Sequence, residues 1–217
     1  MDKTGKQTDR TPADRERFLI EVGRQYGAGG RQIGRYLAEK LGVTYYDKTL
    51  LSETAKSLGY APDLFEKADE RRPSILRSLL WFNYGSTSDA VQSSQMSAED
   101  IYRFQSEVIK NICGRESCVI VGRTADYVMR HHPRMLSIFL HAPVEERAKR
   151  VMGRGETRSD KEAADMVVKH DKARESYYNY FTNRHWGQAS NYHLCIDSSR
   201  TSNSAILAIV RDMLNLD

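Results

Sequence analysis

No stretch of this 217-residue chain approaches the ~18 consecutive apolar residues that a membrane-spanning helix needs, so no such helix is expected and no membrane partner. Residues 1–17 carry charge but neither an apolar h-region nor a small-residue cleavage site, and they read as a disordered leader, not a secretion signal. Cysteine is scarce. Cys113, Cys118 and Cys195 are odd in number, sit among apolar neighbours and lack metal-ligand spacing, which predicts buried thiols in a reducing, cytoplasmic compartment. The chain also lacks a strong charge bias: 33 Lys and Arg against 29 Asp and Glu give +4, with both signs interleaved. That balance suits an anionic ligand without nominating nucleic acid, and neither zinc-finger spacing nor the aromatic run of an RNA-recognition motif occurs. Internal repeats and low-complexity segments are absent as well, so a solenoid is not expected.

What is present is alternation. Phe18 to Val22 is a short apolar run followed at once by glycines, the pattern of a buried parallel strand ending in a turn. Ile33, Leu37 and Leu41 then recur at helical spacing up to Gly42, a helix stop. Val43 to Tyr46 reads as a second strand, followed by a helix from Asp47 to Gly59. Residues 60–95, broken by Pro62, Pro73 and a polar run from Gly85, read as short helices and a loop within an insertion over residues 60–115. An amphipathic helix is expected from Ser97 to Gly114, strands over residues 118–121, 135–140 and 192–196, and helices near 124–131, 144–152, 160–181 and 203–214. Together these predict one α/β domain over residues 18–217: three layers, a five-stranded parallel sheet, helices on both faces and a helical lid near residues 150–175.

Gly23-Arg24-Gln25-Tyr26-Gly27-Ala28-Gly29-Gly30-Arg31 lies between the first strand and its helix. In that setting backbone N–H groups and the helix dipole cradle phosphates, and glycines let the main chain approach closely. The standard loop reads G-x-x-x-x-G-K-S/T, whereas Gly30 follows Gly29 with no lysine and no Ser or Thr after it. A tight strand-to-helix turn would require the same glycines.

Further along, Leu41-Gly42-Val43-Thr44-Tyr45-Tyr46-Asp47, Val119-Ile120-Val121-Gly122-Arg123, residues 138–150 and Asp171-Lys172-Ala173-Arg174 follow in order. With the glycine loop, these segments resemble the cytidylate kinase-like family over roughly residues 18–210, and the tail, with Tyr177-Tyr178-Asn179-Tyr180-Phe181, Trp186-Gly187 and residues 191–196, looks more like a divergent subgroup than like the housekeeping enzyme. The resemblance implies the P-loop kinase fold and an ATP-dependent phosphotransferase, using Mg²⁺, on a nucleoside monophosphate or related small acceptor. It places the donor phosphates on Gly23, Gly27, Ala28, Gly29, Gly30 and Arg31. The acceptor falls to Asp47, Arg123, Asp171 and Arg174, with Arg31, Asp47 and Arg154 as catalytic candidates. Two departures stand out: the lysine is missing, and Val121 stands where cytidylate kinase has an acid before Gly-Arg. They keep open a degenerate protein that senses nucleotides without turnover, and a kinase of a non-nucleotide small molecule. Oligomerisation is left open.

Several of these residues have ordinary readings too. Asp47 could cap the following helix, Arg123 could pair with Asp126, and Asp171 and Arg174, three apart, could form an intrahelical ion pair. Arg147, Arg150, Arg154 and Arg158 around Gly153 and Gly155 suit either a hinged lid or a solvated helix face. His131-His132 reads as a loop feature and not a metal site, and Tyr177, Tyr178, Tyr180, Phe181 and Trp186 as packing.

Overall fold

The computed structural model describes residues 17–47 and 98–216. Most of the leader, the helix expected after Asp47 and the stretch 60–97 lie outside the described residues. The elements run β1 (Leu19–Arg24), α1 (Gly30–Leu41), β2 (Thr44–Tyr46), α2 (Ala98–Arg115), β3 (Cys118–Ile120), α3 (Ala125–Val128), β4 (Met135–His141), α4 (Val144–Gly153), α5 (Asp160–Thr182), a 3₁₀ turn (Ala189–Asn191), β5 (Leu194–Asp197) and α6 (Asn203–Leu214).

All five strands are parallel, in the order β2-β3-β1-β4-β5, with Glu21 in register with Ile120 on one side and Ser137 on the other. Strand alternation sorts the core. Ile20, Val22, Val119, Leu136, Ile138, Leu140 and Ile196 pack against Ile33 and Leu37 of α1 and Ile206 and Val210 of α6. On the opposite face Leu19, Cys118 and Ile120 meet Val108, Ile109 and Ile112 of α2 and Ala125 of α3. A sheet buried on both faces explains why its strands read as continuous apolar runs, and the three-layer α/β architecture is the one the alternation predicted.

Helix ends follow local chemistry. Gly42 closes α1 in the left-handed region at φ 65, its N–H reaching the carbonyls of Ala38 and Glu39. Ser159 and Ser202 cap α5 and α6 by accepting the N–H groups of Glu162 and Ala205. Helices α4 and α5 pack on each other through Ala148, Val151, Ala163 and Val167, and Tyr26 of the glycine loop lies against that cluster. Among the described residues no helix is long and apolar enough to cross a membrane.

One expectation needs correction. Cys113 and Cys118 are buried, their sulfurs 4.0 Å apart, but Cys195 is exposed, because it alternates outward on the edge strand β5. The aromatic run divides. Tyr178 is buried, Phe181 stacks on Tyr102 with centroids 4.3 Å apart, Trp186 meets the edge of Phe139, and Tyr180 is exposed at 61%. His131 and His132 lie in the turn before Pro133, where His132 Nδ1 accepts the N–H of Arg134 at 3.3 Å.

Candidate phosphate and acceptor site

The loop between β1 and α1 is shaped by what holds its carbonyls. Gln25 extends the β1–β4 ladder by donating to Leu140 O at 2.9 Å, and Ala28 N–H turns back to Gln25 O at 3.2 Å. Arg174 donates to Arg24 O at 2.9 Å, Arg147 to Tyr26 O at 3.1 Å and Arg150 to Gly27 O at 3.4 Å. Three carbonyls are thus drawn toward α4 and α5. Gly27 and Gly29 make this path possible at φ 79 and 80. At Gly27 a Cβ would also stand 2.7 Å from Arg147 O, so that position is closed to a side chain twice over.

Helix α1 combines at its start two features that α3, α4, α5 and α6 do not share together. Gly29 caps it without a side-chain acceptor, and no acid stands in its first turn, where α4 has Glu145 and Glu146 and α5 has Asp160 and Glu162. Arg31 stands there instead, exposed, against the preference of the helix dipole. An uncapped first turn with a cation beside it is a place for an anion.

Other arginines converge on the same spot. Arg24 is partly buried at the end of β1, and burial, with Arg123 and Arg31 nearby, holds its pKa down to about 10 against the opposing pull of Glu21. Burial and the neighbouring Arg24 push Arg174 well below the usual arginine range, opposed in part by Asp171. Cations that depress one another mark a region of positive potential that a polyanion would relieve.

Arg123 sits in a strained turn. Ala125 N–H reaches Gly122 O at 3.4 Å across Arg123 at φ 66 and Thr124 at φ 53, a left-handed pair that glycine or asparagine normally occupies. The turn is supported from inside: Thr124 Oγ1 donates to Arg123 O at 2.6 Å, and Asp126 receives the Tyr178 hydroxyl at 2.7 Å. Beneath lies Glu21, 1% exposed, beside Arg24 and the N–H groups of Gly23 and Gly122. Burial and Asp126 raise its pKa well above the ordinary carboxylate value.

The structure gathers Gly27, Gly29, Gly30, Arg31, Arg123 and Arg174 around the carboxyl ends of β1 and β3, where open α/β sheets collect ligands. Asp47 stands at the neighbouring end of β2, 3.5 Å from the Tyr45 hydroxyl and 3.9 Å from Arg35. Other candidates have structural work. Ala28 is fully buried, and Gly23 leaves room for Phe139 and Tyr192, each 3.2 Å from where its Cβ would be. Asp171 accepts Tyr26 N–H at 2.6 Å and bonds Arg147 at 2.5 Å, holding the loop from below.

The four arginines around Gly153 and Gly155 also separate. Arg147 is 4% exposed and bonded to Ala142 O, Tyr26 O and Asp171. Arg150 bridges the loop to Ser198, at 2.8 Å from its carbonyl. Arg154 pairs with Glu156 at 2.6 Å and lies 5.5 Å from the Tyr26 ring, while Arg158 is exposed. Tyr26 in turn stacks on His170 at 4.1 Å and donates its hydroxyl to Glu156. Sequence reasoning missed these tethers and Glu21. The one signal for Glu21 was a lone charge inside an apolar strand run.

Comparison with known proteins follows the same lines. The family model for the cytidylate kinase-like family matches residues 19–200. A cytidylate kinase of Methanosarcina barkeri (strain Fusaro / DSM 804) is 24% identical over 186 residues, covering 85% of this chain and 89% of that protein. Among solved structures, an uncharacterized protein from Eubacterium ventriosum ATCC 27560 is 25% identical, with a TM-score of 0.68 over 93% of this chain and 100% of that one. A shikimate kinase from Bacteroides thetaiotaomicron, 12% identical, has a TM-score of 0.51 over 92% of this chain and 99% of its own, and it shares the fold.

Proposed function

The chain belongs to the cytidylate kinase-like family, and from that premise we propose that it is an ATP-dependent phosphotransferase whose acceptor is a nucleoside monophosphate of the cytidylate type. The observation that carries the reading is the uncapped first turn of α1 beside a glycine loop, with Arg24, Arg31, Arg123 and Arg174 converging on it. Phosphoryl transfer asks a protein mainly to position two polyanions and neutralise the charge between them.

In this reading the N–H groups of Gly27, Gly29, Gly30 and Arg31 hold the donor phosphates, while Ala28 N–H closes the loop on Gln25 O. Arg123, Arg174 and Asp47 orient the acceptor, Asp171 acts through the loop it holds, and Arg31 and Arg154 meet the transferring group. An acceptor phosphate oxygen bonds to the γ-phosphorus as the bond to the β–γ bridging oxygen breaks, giving a diphosphate and ADP. A dianionic acceptor has no proton to lose, so the step needs no general base. ATP would enter as its Mg²⁺ complex, and Asp47 at the end of β2 is the carboxylate we assign to serve that ion. Val121 and Gly30, where a standard enzyme carries an acid and a lysine, favour a second reading: a sensor that binds nucleotide without turnover.

One experiment separates the two: purified protein with ATP, Mg²⁺ and a panel of nucleoside monophosphates, turnover coupled to ADP release, and melting temperature followed alongside. The phosphotransferase reading expects ADP release that depends on one pyrimidine monophosphate. A melting shift with ATP but no turnover on any acceptor selects the sensor.

A further inference from the structure

We propose that Arg24 does the work of the missing phosphate-loop lysine: its side chain leaves the end of β1, crosses Gly30 and brings its guanidinium to the transferring phosphoryl group from beside Gly122. The inference rests on the phosphotransferase reading and goes beyond it by naming the cation.

Two glycines make the case. Gly30 stands where the standard loop has its lysine, yet its backbone is ordinary right-handed helix and does not itself require glycine. What excludes a side chain there is Arg24. A Cβ on Gly30 would lie 2.7 Å from Arg24 Cγ and 3.1 Å from both Cβ and Cδ. The space in which a lysine stem would begin is filled by an arginine stem from the neighbouring strand. Gly122 marks the other end, since a Cβ built on it would be 1.9 Å from an Arg24 terminal nitrogen and 3.0 Å from Cζ. The guanidinium therefore rests against the first residue of the Gly122-Arg123-Thr124 turn, between the donor loop and the acceptor arginine. One side chain accounts for both glycines.

Its surroundings hold it there. Arg174 grips the Arg24 carbonyl at 2.9 Å, fixing the backbone from which the side chain departs, and the Glu21 carboxyl lies close by. Arg31, exposed in the first turn of α1, can meet the same group but is not among the atoms that fill the space where the lysine stem would begin. Chemically the substitution is sound. The loop lysine acts as a point charge on the β and γ phosphates, and a guanidinium offers the same charge with a fork that contacts two oxygens at once.

The test exchanges the two cations, with wild type, Arg24→Ala, Gly30→Lys and the double variant compared for turnover and for tripolyphosphate affinity by calorimetry. Arg24→Ala should lower kcat by about 10²–10³-fold, the scale for losing one preorganised electrostatic contact, with a smaller change in KM for ATP. Gly30→Lys alone should lose activity because the lysine collides with the Arg24 stem. The double variant, with that space vacated, should recover at least about tenfold over Arg24→Ala. A purely structural arginine would not be rescued by a lysine from the opposite side. Should Arg24→Ala fail to fold, Arg24→Lys keeps the charge and loses the fork, and a fall in kcat with stability retained is expected. Arg24→Ala within threefold of wild type, or Gly30→Lys as active as wild type with Arg24 present, overturns the proposal. Where wild type binds tripolyphosphate but turns over no acceptor, the phosphotransferase reading fails, and Arg24 is judged by binding: lost in Arg24→Ala and regained in the double variant, or not.

Discussion

Arg123 shows at the scale of one residue how a site can oppose the stability of its own fold. Its φ of 66 is a conformation that costs a side chain roughly 1–2 kcal/mol relative to glycine. Against this, glycine loosens the unfolded chain by about 0.4–1 kcal/mol. Arg123→Gly should therefore gain about 0.5–1 kcal/mol, or roughly 1–4 °C in melting temperature for a chain of this size. In the proposed function the same change also removes a charge-assisted contact to the acceptor, for which the expected loss is about 1.5–3 kcal/mol, or about tenfold to a hundredfold in affinity. Paired thermal melts and acceptor titrations check both halves. A variant that melts lower and binds acceptor unchanged would make Arg123 a structural residue.

Helices α4 and α5 show at the next scale how elements far along the chain set the loop, and why that was hard to read. Strands and helices were legible because each signal was local, such as an apolar run closed by glycine, or apolar residues three and four apart ending at Gly42. The glycine loop was legible for the same reason. The tethers were not, since Asp171 lies 145 positions from Tyr26 and nothing in its own segment says that it faces a loop amide. The stack of Tyr26 on His170 belongs to this class and has a pH signature. Burial, then Arg174 and Lys169, lower the His170 pKa, while Glu156 and Asp171 oppose them. The folded state therefore resists the proton that the unfolded chain accepts near pH 6.5, so this stabilisation is intact above about pH 6.5 and is lost as pH falls below it. His170→Phe keeps the stack without the titration. Its melting temperature should fall less than that of wild type between pH 7.5 and 5.5, and equal falls would remove His170 from the account.

For the whole molecule, a modest net charge of +4 conceals an uneven distribution. Opposite charges alternate along the sequence, but the fold brings Arg24, Arg31, Arg123 and Arg174 together at the carboxyl ends of β1 and β3, with Glu21 the buried acid set against Arg24. Composition could not show this, because the convergence is produced by strand order and by the packing of α5 on the loop. The cluster predicts a specific anion response beyond general screening. A polyphosphate that bridges several of these cations binds only the folded state, so it should stabilise by mass action, about 2.7 kcal/mol at a hundredfold excess over its Kd. For a protein of this length that is roughly 5–11 °C in melting temperature. Sodium chloride at matched ionic strength screens the like charges without bridging them and should give a much smaller shift. Gly27→Ala supplies the control, because a side chain there displaces the loop from Arg147 while leaving all four arginines in the sequence. Its polyphosphate shift should shrink toward the chloride value. Equal shifts from tripolyphosphate and chloride in wild type would mean that the arginines form no organised site, and the phosphate assignment would fall with them.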